Sequence, residues 1–418
     1  MACLVMADFF AQHNETHLMF DLRQRLPAAD RTTFLTIAHM SLPHPSADAL
    51  QASRDLQHHI QHIILANDGW ISFSHYMALA LYTPDLGYYA GGAVKLGKDG
   101  DFTTAPEISP LFGATLARFA AELLGPAPLR LLEFGAGTGK LAHDLLSAAA
   151  GSGTAVASYQ IVEVSSELRA RQQQALANFS QIEWLDKPPT AFSGLVIANE
   201  VLDAMPVQLL IKRGGHWLER GVALDDQRFV FADRDCLPDL TEQIPEANHL
   251  PDEYLTEIHP QQAGFLRMLG DMLRAGDGGA ALMIDYGFPA SEYYLPQRSG
   301  GTLMCHYRHH AHADPFYLPG LQDITSHVDF SAMARAGLSA GLGVGFYMSQ
   351  AAFLIGAGLP NLLAGQPVTD PRHWLPLSNA VQKLTSPAEM GELFKALLLV
   401  DRIEVPASFQ NIDQSYRL

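Results

Sequence analysis

The chain has 418 residues and is 48 % hydrophobic, enough apolar material for a large core built as one elaborated domain or two. Its 27 basic and 44 acidic residues give a net charge of −17. That balance argues against nucleic acid as a partner, because phosphate binding needs a basic face, and it suits a basic polypeptide. The cysteines Cys3, Cys236 and Cys305 show neither a pairing pattern nor metal-ligand spacing, and no basic segment followed by an apolar run opens the chain. A reducing, cytoplasmic location is therefore expected.

Residues 1–54 are expected to be an extension, helical or partly disordered, and they offer no chemistry. Residues 55–128 form a helical and loop region that caps the site. Leu56, Ile60, Ile63 and Ile64 share one face of a helix that ends at Asn67-Asp68-Gly69. Ser72 is placed to cap a helix over Phe73–Leu81, and Pro84 to Gly87 make a turn. Residues 87–113 form a long segment in which Thr103, Thr104, Glu107 and Ser109 are polar. Either they line a site, or Ser109 and Pro110 simply start the helix Leu111–Leu124.

At Leu129 the pattern becomes strand, glycine-rich turn, helix. Leu129, Leu131 and Leu132 read as a buried strand, and Leu141, Leu145 and Leu146 have helical spacing. Between them stand Glu133 and the glycines Gly135, Gly137 and Gly139. Such a turn lets a ligand approach bare backbone at a helix start, where amide N–H groups are free. The spacing is G-x-G-x-G, not the dinucleotide G-x-G-x-x-G, and Leu141 after Lys140 rules out a phosphate loop.

The remaining strands follow in order. Tyr159–Val164 ends near Glu163, where a nucleotide-type ligand presents its ribose hydroxyls. Ile182–Asp186 is a third strand; Trp184 and Leu185 either flank a base or belong to the core. Gly194–Ile197 is a fourth, and its exit carries Asn199, Glu200 and Asp203. Glu200 and Asp203 are three apart and share a cavity if a helical turn begins there; the alternative is N-terminal capping. Residues 207–260 read as an insertion with a hairpin around Gly214-Gly215. A helix over 262–273 and a fifth strand over Ala280–Ile284 come next. His306, His309, His310 and His312 lie in a segment read as irregular and lack zinc-site spacing, so no metal is assigned. Asp323–Phe330, with His327, either builds a substrate wall or caps the helix Phe330–Ala336. The apolar stretch Gly341–Leu359 is read as buried core, not a membrane span.

The glycine turn resembles motif I of the class I S-adenosylmethionine methyltransferases. The segments GDFTTAPEISPLFG (100–113), LLEFGAGTGKLAHDLL (131–146), VIANEVLDAMPV (196–207), IDYG (284–287) and GTLMCHYRHHAHADPFYLPGLQDITSHVDF (301–330) together resemble the MidA family, across residues 55–400. The family's mitochondrial members are complex I assembly-factor protein arginine methyltransferases. The resemblance implies a Rossmann-like α/β fold: a doubly wound seven-stranded sheet, mostly parallel with its last strand antiparallel, in a methyltransferase domain over 129–418. It implies S-adenosylmethionine as cofactor and an arginine-bearing protein as substrate.

On this reading Glu133, Gly135, Gly137, Gly139, Glu163, Trp184, Leu185 and Asn199 hold the cofactor. Glu200 and Asp203 bind and orient the acceptor, and Thr103, Thr104, Glu107 and His327 line its site. The alternatives are a small-molecule methyltransferase and a scaffold that keeps the fold without turnover. No membrane partner is expected, and a homodimer is left open.

Overall fold

The computed structural model describes residues 42–91, 103–367 and 370–418; the expectations for residues 1–41 and 92–102 fall outside them. Strands are numbered along the chain: β1 Trp70–Ser72, β2 Leu129–Phe134, β3 Val156–Val162, β4 Ile182–Leu185, β5 Gly194–Asn199, β6 Gln208–Arg213, β7 His216–Asp225, β8 Arg228–Asp235, β9 Leu255–Ile258, β10 Gly279–Phe288, β11 Met304–Tyr307, β12 His310–His312, β13 Asp323–Thr325, β14 Val328–Asp329, β15 Gly343–Ser349 and β16 Phe394–Asp401. The chain forms two compact units, neither of them a single linear segment.

The described part of the first unit takes residues 42–91, 221–232 and 302–326. Its helix Ala47–Ala66 starts upstream of Asp55, where Ser46 accepts from the Ala49 amide. Leu56, Ile60 and Ile64 are fully buried, as their spacing requires. Ser72 caps the helix Phe73–Tyr82 by accepting from the His75 amide. β1 pairs antiparallel with residues 221–223 of β7. The histidine-rich segment is not irregular: β11 and β12 form a hairpin, and β13 pairs on the other side of β11. Its turn is Arg308-His309, at φ 48° and 64°. Glycine or asparagine normally occupies such positions, so the sequence carried no turn signal.

The second unit holds a sheet of order β15-β16-β10-β5-β2-β3-β4, with the short β14 added beside β10. β4, β3, β2, β5 and β10 are mutually parallel, whereas β16 runs antiparallel to both its neighbours. This is the seven-stranded class I methyltransferase sheet. Both faces are covered, and the strand residues divide accordingly. Leu131, Leu195, Ile197, Leu282, Ile284 and Leu398 pack in one core, and Leu132, Val196, Ala198, Met283, Leu397 and Leu399 in the other. Helices Pro110–Leu124 and Lys140–Ser152 cover the first face; Pro260–Ala275 and Phe330–Ser339 cover the second.

β6 pairs with residues 216–220 of β7 through the turn Gly214-Gly215, and with β9 on its other edge. The stretch Gly341–Leu359 becomes β15 and the helix Gln350–Gly356. Among the described residues no helix is long and apolar enough to cross a membrane.

Candidate functional site

The carboxyl ends of β2, β3, β4, β5 and β10 all face one edge of the parallel sheet, where open α/β sheets place their ligands. β2 ends in Glu133, which is buried and accepts from the Tyr159 hydroxyl at 2.7 Å. Burial raises its carboxyl to about 7. The chain then turns through Gly135 at φ 65° and Gly139 at φ 82°, and the helix begins at Lys140. Both conformations disfavour a side chain. A Cβ on Gly135 would also meet Val201 Cγ2 at 3.0 Å, and one on Gly139 would meet Leu176 Cδ1 at 3.1 Å.

Glu163 stands just past β3, which begins earlier than expected and ends at Val162. It is buried; Oε1 accepts from the Ser165 amide at 2.8 Å and Oε2 from the Gln172 side-chain amide at 2.9 Å, and the Val164 amide also donates to the carboxylate. Burial raises its ionisation above the ordinary carboxylate value, and the Ser165, Gln172 and Val164 donors, with the Arg169 charge, oppose the rise. A carboxylate has about four lone-pair sites, so acceptor capacity remains for a ligand. Next to it Val164 is 81 % exposed. On β4, Trp184 packs against the core and donates from Nε1 to Gln172 Oε1 at 3.1 Å. The Leu185 carbonyl accepts from Arg169, which also holds the Glu163 carbonyl.

At the end of β5, Asn199 is buried, and its Oδ1 has no hydrogen-bond partner among the described residues. Its Nδ2 donates to Glu200 Oε1 at 3.1 Å, and the Ala105 amide donates to the same oxygen at 2.9 Å. No helical turn begins here, contrary to the spacing argument. Glu200 sits at φ 54°, and residues 202–205 close a turn through the Met205 amide and the Leu202 carbonyl. Asp285 of β10 sets this loop instead. Its Oδ2 accepts from the Leu202 amide at 2.9 Å and the Asp203 amide at 3.2 Å, and its Oδ1 from the Tyr286 amide at 2.9 Å. The Tyr286 hydroxyl donates to Asp203 Oδ2 at 2.8 Å.

Three carboxylates thus gather at one place. Burial is the main cause that lifts Glu200 to about 8 and Asp203 to about 6, and the Asp203 charge adds to the rise at Glu200. Asp285 is raised by burial and then by both neighbours.

The residues expected to line the acceptor site are placed unequally. Glu107 accepts from the Thr138 hydroxyl, which ties the short helix Ala105–Ile108 to the glycine turn. Thr104 occupies the N-cap position of that helix, and Thr103 is exposed. His327 stacks on Phe288, with centroids 5.2 Å apart, and meets the Tyr286 ring edge-on. The segment around it is divided, since residues 323–326 belong to the first unit and Asp329 caps the helix Phe330–Ser339. Asp285, Tyr286 and Gln172 were missed as site residues. The strand-end rule that pointed to Glu200 would also have found Asp285 and Tyr286. Gln172 gave no signal, lying in a run of three glutamines of which the other two are exposed.

The sheet order, the glycine turn after its first strand and the acid after the second define a class I S-adenosylmethionine-dependent methyltransferase, and S-adenosylmethionine is its cofactor. A family model for S-adenosyl-L-methionine-dependent methyltransferases matches residues 111–348. The chain belongs to the MidA family of these enzymes.

It is similar to the protein arginine methyltransferase NDUFAF7, mitochondrial, of Mus musculus, at 30 % identity over 416 residues, covering 88 % of this chain and 90 % of that protein. The Danio rerio protein of the same name is 29 % identical over 392 residues, covering 84 % and 88 %. A solved Burkholderia thailandensis protein bound to S-adenosyl-homocysteine is 47 % identical, with a TM-score of 0.85, covering 90 % of this chain and all of that one. The curated relatives are named mitochondrial, which overturns the cytoplasmic expectation. Sparse cysteines without a pairing pattern fit any reducing compartment and do not separate one from another.

Proposed function

We propose that the chain methylates an ω-nitrogen of a protein arginine, with Glu200 and Asp203 holding the guanidinium. The observation that supports this best is the gathering of Glu200, Asp203 and Asp285 at the ends of β5 and β10. Crowded, buried carboxylates resist ionisation, and a planar cation beside them restores it while taking paired hydrogen bonds. The relatives named as protein arginine methyltransferases support the same acceptor.

The cofactor side fits as well. The bare backbone of Gly135, Gly137 and Gly139 and the nearby Glu133 suit the methionine end. Glu163, with acceptor capacity left on its carboxylate, suits the ribose diol. Trp184 and Leu185 flank the base, and the unpartnered Asn199 Oδ1 is an acceptor for a ligand donor. S-adenosylmethionine supplies an activated methyl group on a sulfonium when bound. The chain's own part is alignment and charge: Glu200 and Asp203 fix one nitrogen and neutralise the cation, and Glu200 takes the proton that leaves it. Tyr286 keeps Asp203 oriented, while Thr103, Thr104, Glu107 and His327 flank the acceptor.

The test is transfer of labelled methyl from S-adenosylmethionine to arginine-containing polypeptides, with the modified residue located by mass spectrometry. Glu200→Gln is expected to lower turnover on the order of 100-fold and leave cofactor affinity within about twofold. Label on a residue other than arginine, or full turnover in the variant, would overturn the proposal.

A further inference from the structure

We infer that Gln172 is a positioning residue for the cofactor: one buried amide ties the glycine turn, the ribose-facing acid and the base-flanking strand into a single rigid cradle. This rests on the reading of Glu163 given above.

Gln172 lies on the helix Ser166–Ala175 and is fully buried. Its Nε2 donates to the Gly137 carbonyl at 2.9 Å and to Glu163 Oε2 at 2.9 Å. Its Oε1 accepts from Trp184 Nε1 at 3.1 Å. The amide orientation is fixed by its partners. A carbonyl and a carboxylate only accept, and an indole N–H only donates, so the flipped amide would lose all three bonds. Both amide hydrogens and the oxygen are used. The helix also comes close to the turn, since a Cβ on Gly139 would reach Gln172 Cγ at 3.5 Å.

The consequences follow from what each bond holds. Gly137 and Glu163 lie in segments that have left β2 and β3, and the Trp184 indole projects from β4; past the strand ends no sheet ladder holds the first two at a fixed spacing. The amide gives them one, and it sets where the Glu163 carboxylate points. The donation to Glu163 also favours its ionised form against burial. The other charged groups acting on Glu163 are Arg169, which also favours ionisation, and Glu133, whose carboxylate and that of Glu163 repel. Neither Arg169 nor Glu133 is hydrogen-bonded to Gln172, so a change at Gln172 reads out its own contribution.

The experiment measures S-adenosylhomocysteine binding by calorimetry from pH 5.5 to 8.5, for the wild type, Gln172→Leu, Gln172→Glu and Glu163→Gln. Gln172→Leu removes all three bonds. Gln172→Glu keeps the shape and the acceptor for Trp184 but loses the donors, so it decides the matter if the leucine variant does not fold. Both are expected to weaken binding 10- to 100-fold at pH 8. In Gln172→Leu, binding should also strengthen only at higher pH than in the wild type, because Glu163 ionises later. A purely structural role would lower the melting temperature without moving that profile. Folded Gln172 variants with wild-type affinity and an unmoved profile, alongside a weakened Glu163→Gln, would overturn this inference alone. Unchanged binding in Glu163→Gln would instead overturn the reading of Glu163 on which it rests.

Discussion

The carboxyl of Glu133 gives the sharpest stability test, because it is 3 % exposed and carries no ion-pair partner among the described residues. It ordinarily ionises near 4.5 and is held at about 7 here, chiefly by burial. The folded state therefore keeps a proton that the unfolded chain has already released. That contribution to stability is complete below pH 4.5 and is lost as pH rises through about 7. A separation of about 2.5 pH units at 1.36 kcal/mol each makes the full loss about 3 kcal/mol, of which about 2.5 kcal/mol falls between pH 5 and pH 8.5.

Glu133→Gln removes the titration and keeps an oxygen for the Tyr159 hydroxyl. Relative to the wild type, the variant should gain about 2.5 kcal/mol on going from pH 5 to pH 8.5. For 418 residues the unfolding entropy is about 0.9 kcal/mol per kelvin, so the gain corresponds to about 3 °C in melting temperature. Differential scanning calorimetry of both proteins at the two pH values measures it, and titrations common to both cancel in the comparison. A melting-temperature difference that does not change with pH, or that shrinks as pH rises, would refute the reasoning.

Three further outcomes are expected. Because burial holds Glu200 at about 8 and a cationic acceptor needs it ionised, kcat/KM for a protein acceptor should rise with pH through about 8 and flatten above; a profile already flat from pH 6.5 would count against that role. Gly139→Ala, at φ 82° with Leu176 3.1 Å from the new methyl, should cost about 1–3 kcal/mol of stability and weaken S-adenosylhomocysteine binding in calorimetry. Asp285→Asn leaves at least one of the Leu202, Asp203 and Tyr286 amides without its acceptor. It should lower the melting temperature by about 1–3 °C and raise the acceptor KM more than the cofactor Kd, measured by steady-state kinetics beside calorimetry.

Sequence alone determined the elements that depend on local pattern. The alternating and continuous apolar runs located β2, β5 and β10, because a strand buried on both faces must be apolar throughout. The glycine triplet announced its own turn, since glycines at alternate positions favour the left-handed backbone found there. The caps Ser72 and Ser109 were legible for the same reason: their hydroxyls bond within their own few residues. Glu163, Asn199, Glu200 and Asp203 could be named as candidates because strand ends are where such sheets bind.

What tertiary structure decided is everything that depends on partners distant in the chain. Glu200 and Asp203 meet not through helical spacing but because Asp285, more than eighty residues on, takes the amides of their loop. The Arg308-His309 hairpin turn has no residue-type signature, so only strand pairing reveals it. Gln172 looks the same as its two neighbours in sequence and differs only in being buried among Gly137, Glu163 and Trp184. Local conformation follows from the residues that adopt it, whereas burial, charge crowding and the meeting of polar atoms belong to the folded whole.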